Sequence, residues 1–137
     1  MKKRMSWFSI LVTGVIITGG SILMVSFTNM AKESKTHFNE LSIEEIDLEK
    51  VQDGVFLGSF SIFPIQVDVE VEVLAHQIIS IHIKKHVNGW GRSAESIVDV
   101  IVTDQSLDVP IISGATYSSK VILKAIEDAL AKGIEGY

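Results

Sequence analysis

The sequence predicts an α+β fold in which two amphipathic helices pack on an antiparallel β-sheet, preceded by a single N-terminal transmembrane helix. Three observations predict it. Residues 7–27 contain no charged side chain, residues 66–73 and 79–84 alternate between apolar and polar side chains, and two later segments repeat their apolar residues with a helical period. Strands followed by helices is the order typical of an antiparallel sheet with helices on one face.

The N-terminal segment has the length and flanks of a signal anchor. About 20 uncharged residues span roughly 30 Å as a helix, enough for the hydrocarbon core of a bilayer. Lys2, Lys3 and Arg4 precede them and should stay in the cytoplasm, which puts the following domain outside the cell membrane. A cleaved signal peptide is the alternative, but its apolar core usually has about 7–15 residues and ends at a small-residue site. We therefore predict a cytoplasmic basic tip and an uncleaved single-pass anchor over residues 1–30.

The charge balance of the remaining chain excludes one class of partner. Residues 31–137 hold nine basic and 17 acidic residues, a net charge of −8. Such a surface has no electrostatic footprint for nucleic acid. The chain has no cysteine and its four histidines show no ligand spacing, so we predict neither disulfides nor a metal site.

The region after the anchor divides into a tether and a domain. Residues 31–47 are mostly polar and are predicted to be a tether, and residues 48–137 are predicted to form the domain. Ser42 and Glu45 have the spacing of a capping box, which indicates a short helix or turn there.

Three stretches are typical of strands. The Asp-Gly pair at Asp53 indicates a turn, and the aromatic and β-branched residues after it favour a strand that Pro64 interrupts. In residues 66–73 every second residue is valine, so one face should be buried and the other hydrated. After a turn at A-H-Q, a third stretch alternates in the same way and should pair antiparallel with the second. Its apolar positions are Ile79, Ile81 and Ile83.

Two later segments have one apolar stripe each, as amphipathic helices do. Ser93 is a candidate cap for the first helix, and Gly133 is a candidate C′ residue for the second. The first stripe consists of Ala94, Ile97, Val98, Ile101 and Val102, and the second of Val121, Ile122, Ala125, Ile126, Ala129 and Leu130.

The motif S-G-A-T-Y-S-S, which starts at Ser113, stands directly before the second helix. Gly114 permits a sharp turn, and the hydroxyl groups lie where helix N–H groups and the helix dipole favour an anion such as phosphate. Ser118 as a simple helix cap is the alternative. The motif does not match a Walker phosphate-binding loop.

This motif resembles the attachment signature of the FMN-binding domain family. That family includes flavin-carrying subunits of sodium-pumping NADH:quinone oxidoreductases and Rnf-type complexes, and small membrane-anchored proteins of extracellular electron transfer. The resemblance extends from about Leu48 to about Leu130 through D-G-V-F-L-G-S-F, H-V-N-G-W-G-R-S-A-E-S-I and Q-S-L-x-V. It implies FMN as the cofactor.

The resemblance implies that an FAD-dependent flavin transferase joins the FMN phosphate to Thr116 by a phosphoester. The other residues implied to shape the phosphate and recognition loop are Ser113, Gly114, Ala115, Tyr117 and Ser118. The family usually has aspartate three residues before the serine, whereas this chain has Pro110. Noncovalent FMN therefore stays open as an alternative.

A second candidate flavin-facing segment is H-V-N-G-W-G, which follows the last strand. Gly89 and Gly91 would permit close backbone approach, Trp90 could stack on the isoalloxazine ring, and His86 could bond a flavin carbonyl. A turn whose tryptophan covers the edge of the core, with His86 ending a strand, is the alternative.

Together these features predict a membrane-anchored, extracytoplasmic FMN-carrying electron-transfer protein. We find no acid–base or nucleophile constellation and assign no catalytic residue, so a redox carrier is favoured over a stand-alone enzyme. The expected partners are the flavin transferase and a membrane quinone or dehydrogenase. The alternatives are a noncovalent flavin reductase module and a flavin-free interaction or assembly module that retains the fold.

Overall fold

The computed structural model describes Met24, Phe38, residues 40–87 and residues 91–134. His37–Tyr137 forms one compact unit. Apart from Met24, the predicted anchor over residues 1–30 lies outside the described residues. Among the residues that are described, no helix combines the length and apolarity needed to cross a membrane.

The sheet of the described region has three antiparallel strands in the order β1-β2-β3, with bounds Gly54–Ile62, Ile65–Leu74 and Gln77–Val87. The four valines of β2 at positions 67, 69, 71 and 73 are at most 1% exposed, whereas Glu72 on the other face is exposed. This confirms the alternation and the one-sided burial that the sequence predicts.

Two β-bulges change the register of β3 against β2. Ile79 is an extra residue between the pairs Glu72↔Ser80 and Val73↔Ile78. Lys84 is an extra residue between the pairs Val69↔Ile83 and Asp68↔Lys85. Each bulge moves the following side chains to the other face. The expectation that Ile79 shares a face with Ile81 is therefore wrong. The inner residues of β3 are Ile78, Ile81, Ile83 and His86.

Two α-helices follow the sheet in the described region: α1, Ile97–Asp104, and α2, Thr116–Lys132. A 3-10 helix, Arg92–Ser96, leads into α1. The predicted cap at Ser93 is wrong, because Gly91 is the N-cap of the 3-10 helix and Ser93 contributes only its carbonyl, to the Ser96 hydroxyl at 2.9 Å. Both apolar stripes face the core, so the α+β class is confirmed.

Two glycines let α2 and its C-terminal end approach β1. A Cβ atom at Gly58 would lie 2.0 Å from the Ala125 carbonyl oxygen and 2.7 Å from the Ala129 Cβ. A Cβ atom at Gly133 would lie 2.6 Å from Val51 Cγ1. Gly133 has a φ of −81°, so steric space, rather than the left-handed conformation expected at a C′ position, explains the glycine.

The segment before the sheet does not form the short helix that its sequence pattern predicts. Residues 41–47 contain no helix, so the capping box predicted from Ser42 and Glu45 is wrong. The carboxylate of Glu45 instead accepts hydrogen bonds from the backbone N–H groups of Leu107 and Asp108 at 3.0 and 3.1 Å. A 3-10 helix occupies Leu48–Lys50, where the side-chain hydrogen bond from Lys50 and the backbone N–H of Glu49 lower the pKa of Asp47.

Candidate functional site

The topology brings the two candidate flavin segments to one end of the domain. Helix α2 runs antiparallel to β1, since Lys132 Nζ lies 2.9 Å from the Leu57 carbonyl oxygen and Ala125 packs on Gly58. The Thr116 end of α2 is therefore at the Ile62 end of β1. Strand β3 runs parallel to β1 in this sheet, so Val87, where the H-V-N-G-W-G segment leaves the sheet, lies at the same end.

A tight turn carries the start of the motif. The Ala115 N–H donates to the Ile112 carbonyl at 3.0 Å, which closes a turn with Ser113 and Gly114 at its exposed centre. Gly114 has a φ of +79°, a conformation that favours glycine in the third position of a type II turn. A Cβ atom there would meet nothing within 4 Å, so conformation explains this glycine and the space in front of it is open.

Thr116 is the first residue of α2 and is exposed to solvent. Ala115 occupies the N-cap position and makes no side-chain capping hydrogen bond. The first intrahelical bond runs from the Ser119 N–H to the Ala115 carbonyl at 2.9 Å. The N–H groups of the preceding three residues, beginning with Thr116, therefore have no intrahelical acceptor and point out of the helix end beside the threonine hydroxyl.

Tyr117 and Ser118 occupy opposite environments in the first turn of α2. Ser118 is 1% exposed and lies inside the helix, so it is not the N-cap residue that the sequence offers as an alternative. Tyr117 is 44% exposed, and its ring packs at a tilt on the buried Phe38 ring with a centroid separation of 4.4 Å. One side of the tyrosine is thus covered by the N-terminal segment, next to Thr116.

Ser119 is a positioning residue that the sequence pattern did not single out for the site. Its hydroxyl is buried, donates to the Ala115 carbonyl at 3.0 Å and accepts from the Ile112 N–H at 3.3 Å. These two bonds tie both ends of the turn to the first turn of α2. The spacing of four residues from Ala115, which is typical of a serine bonding back to the carbonyl of the preceding turn, is the signal that could have identified it.

In the segment that leads into the motif, buried and exposed residues alternate. Leu107 and Val109 are buried, while Asp108 and Pro110 are exposed. Pro110 therefore stands on the surface, three residues before Ser113.

His86 lies on the inner face of β3, opposite Val67. Its side chain is 2% exposed, and Nδ1 lies 2.9 Å from Glu95 Oε1 of the 3-10 helix. The structure thus gives His86 a contact that joins β3 to the start of the helical region. Gly91 is buried at the N-cap of that 3-10 helix, and Gly89 and Trp90 lie outside the described residues.

One comparison with known proteins finds a match. The family model described as the FMN-binding domain matches residues 63–131, just over half of the chain. The match includes β2, β3, α1, the S-G-A-T motif and α2 except for its last residue. Comparisons with curated proteins and with solved structures find no match.

Proposed function

Because the chain belongs to the FMN-binding domain family and FMN is its cofactor, we propose that it is an electron-transfer protein with FMN esterified to Thr116. The observation that carries the proposal is the position of Thr116, an exposed hydroxyl on the first residue of an uncapped helix. We further propose that residues 1–30 anchor the chain in the cell membrane and that the domain lies outside the cytoplasm.

The residues around Thr116 fit a phosphate group. Phosphate binds readily at a helix N-terminus, because the open N–H groups and the helix dipole both favour negative charge. The absence of a capping side chain at Ala115 leaves these donors available, and the open space at Gly114 gives a bulky phosphoester access. Lys120 follows Thr116 by four residues and so places its positive charge on the same side of the helix.

The proposed attachment is a balanced group transfer from FAD. The Thr116 Oγ atom would attack the phosphorus on the FMN side of the pyrophosphate. The bond from that phosphorus to the bridging oxygen would break, and AMP would leave with that oxygen. The hydroxyl proton passes to a base of the flavin transferase or to water. No electrons are exchanged, so the step needs no oxidant or reductant.

The isoalloxazine ring would supply the redox chemistry, while the protein supplies attachment and orientation. A covalent bond suits a domain outside the cytoplasm, where a dissociated cofactor is lost by diffusion. The anchor would keep the flavin close to a membrane quinone or dehydrogenase as electron partner. These roles make the chain a carrier rather than a stand-alone enzyme.

The test is intact-mass measurement of the full chain co-expressed with an FAD-dependent flavin transferase. We expect one adduct with the mass of FMN less one water, retained after denaturation, on the wild type. Thr116→Ala should lose it completely, and Thr103→Ala, which removes an exposed threonine hydroxyl of α1 outside the motif, should retain it. An adduct that persists in Thr116→Ala would refute the assignment.

Release of all FMN on denaturing the wild type would instead support noncovalent binding. Pro110 is the observation that favours this second mode, since the family usually has aspartate there. The variant Pro110→Asp distinguishes the cases. If the variant gains the covalent adduct and the wild type has none, the transferase recognises the wild-type loop poorly because of Pro110.

A further inference from the structure

A segment of the predicted tether packs on the attachment loop. We define the strap as Phe38 and residues 40–47, and the attachment loop as residues 105–115, which connect α1 to α2. The apolar residues Leu41, Ile43 and Ile46 of the strap are half-buried against the core. The strap therefore contributes packing to the domain in addition to linking it to the N-terminal region.

The strap contacts α2 at two places. The Phe38 ring packs on Tyr117, and Lys120 Nζ donates to the Phe38 carbonyl at 2.9 Å. Farther along, the Glu44 N–H donates to the Glu127 carboxylate at 3.0 Å. These contacts fix the course of the strap along the first three turns of the helix that starts at Thr116.

The strap then reaches the beginning of the attachment loop through one carboxylate oxygen. Glu45 Oε2 accepts from two consecutive backbone N–H groups, those of Leu107 at 3.0 Å and Asp108 at 3.1 Å. Hydrogen bonds to a charged acceptor are about twice as strong as neutral ones. Because 62 residues separate Glu45 from Leu107, this contact fixes the loop by tertiary structure rather than local sequence.

The attachment loop is consequently held from both ends. Glu45 holds its start and Ser119 holds its end, and the exposed turn with Ser113 and Gly114 lies between them. We infer that Glu45 is a positioning residue for flavin attachment, because its carboxylate holds the attachment loop in the conformation that presents the Thr116 hydroxyl. This inference rests on the proposed function of Thr116.

The test compares Glu45→Ala with Glu44→Ala in the full chain with purified flavin transferase and FAD. The two variants remove adjacent exposed carboxylates of equal charge, but of the two only the Glu45 carboxylate accepts from the loop amides. The Asp108 N–H also donates to the Ser106 hydroxyl at 3.0 Å, which both variants retain. We expect Glu45→Ala to slow adduct formation at saturating transferase about tenfold, because reacting groups displaced by even an ångström react far more slowly. Glu44→Ala should stay within about twofold of wild type, as expected for a surface position.

Two further measurements separate positioning from general stability. Glu45→Gln retains an acceptor oxygen without the charge, and we expect it to recover most of the rate, to within about threefold of wild type. The free energy of unfolding, extrapolated from urea titration to zero urea, gives the fraction of each variant that is folded. If the folded fraction of Glu45→Ala reacts at the wild-type rate, the positioning role is refuted and Glu45 is only a stabilising residue.

Amide hydrogen exchange tests the strap even if the wild type carries no covalent FMN. In Glu45→Ala we expect faster exchange over the whole of residues 105–115, and in Glu44→Ala the wild-type pattern. Unchanged exchange, or a change restricted to Leu107 and Asp108, would overturn the inference. If neither the wild type nor Pro110→Asp gains an adduct, the attachment at Thr116 is refuted. Faster exchange over residues 105–115 in Glu45→Ala but not in Glu44→Ala would then still support the hold of Glu45 on the attachment loop.

Discussion

At the scale of single residues, the attachment motif separates into groups that face solvent and groups that hold the turn. Ser113 and Thr116 are exposed, whereas Ser118 and Ser119 are at most 1% exposed. Four hydroxyl groups that look equivalent in the sequence thus have two different environments. The helical period explains the division, because residues 118 and 119 turn toward the core when the helix begins at Thr116.

Ser119→Ala should destabilise the folded domain by about 1 kcal/mol, because the Ile112 N–H loses its acceptor in a partly buried position. Urea unfolding of the full chain measures this change. Ser113→Ala is the matched control and should change stability by less than about 0.5 kcal/mol, as expected for an exposed position. Equal effects of the two substitutions would contradict the role assigned to the Ser119 hydroxyl.

The sequence predicted the location of the candidate site but not how it is built. The turn at Ser113 and Gly114 was predictable from S-G-A-T, because its residues are adjacent, whereas the role of Thr116 stays a prediction. The role of Ser119 depends on a fold in which the Ile112 N–H returns to the helix. The contact between His86 and Glu95 depends on which face of β3 the histidine occupies, and that face is set by bulges that simple alternation does not encode.

At the scale of secondary-structure elements, the close contact between β1 and α2 fixes the helix that carries Thr116. The contact is possible because Gly58 has no side chain where the Ala125 carbonyl and Ala129 approach. Backbone atoms on a packed helix cannot move aside as the end of a flexible side chain can. The position of Thr116 therefore depends on a glycine in another element.

Gly58→Ala should destabilise the domain by about 3 kcal/mol, because the new methyl group would overlap the backbone of α2. Gly114→Ala provides a contrast: it meets open space but must adopt a positive φ, which costs about 1 kcal/mol. Thermal or urea unfolding of both variants gives the comparison. A larger loss for Gly114→Ala than for Gly58→Ala would show that the helix moves to accommodate the methyl group.

The elements themselves were largely predictable because their periodicity is regular. The valines of β2 and the apolar stripe of α2 gave the correct faces, since each pattern repeats without interruption. The third strand did not, because Ile79 and Lys84 are inserted in its ladder. The predicted helix near Ser42 failed for another reason: Glu45 bonds to the distant loop amides rather than to the start of a helix.

At the scale of the whole domain, side chains from the helical region hydrogen-bond to backbone groups on both edges of the described sheet. On the β1 edge, Lys132 donates to the Leu57 carbonyl and Asp128 accepts from the Ser59 N–H, each at 2.9 Å. On the β3 edge, the Gln105 side chain accepts from the Ile78 N–H at 2.7 Å and donates to the Ile78 carbonyl at 2.9 Å. Occupied edge groups are unavailable for pairing with a strand of another molecule.

Gln105→Ala should both destabilise the domain and promote self-association, because it uncovers the two backbone groups of Ile78 on the edge. We expect a loss of about 3 kcal/mol, since three side-chain hydrogen bonds are removed, two to Ile78 and one to the Val102 carbonyl, and increased light scattering at high protein concentration. Gln77→Ala, which changes the exposed first residue of the same strand, should show neither effect. If both variants scatter equally, edge closure by Gln105 is not what limits association.

The domain-scale organisation was predictable in outline only. The order of strands and helices gave the α+β class, and the motif gave the family. The strap was beyond reach, because it lies in a longer, mostly polar stretch, residues 31–47, that resembles a linker, and its contacts join residues more than 60 positions apart. Tertiary contacts of this kind leave little periodic signal in the sequence.

The two bulges of β3 have a consequence for comparing this chain with its relatives. The buried positions of β3 follow one another at intervals of three, two and three residues instead of two. A relative aligned by strict alternation would have Lys85 matched to an inner position and His86 to an outer one. Homologous positions in this strand should therefore be assigned from the pairing of β3 with β2. In an alignment made that way, His86 is matched to inner-facing residues of the relatives.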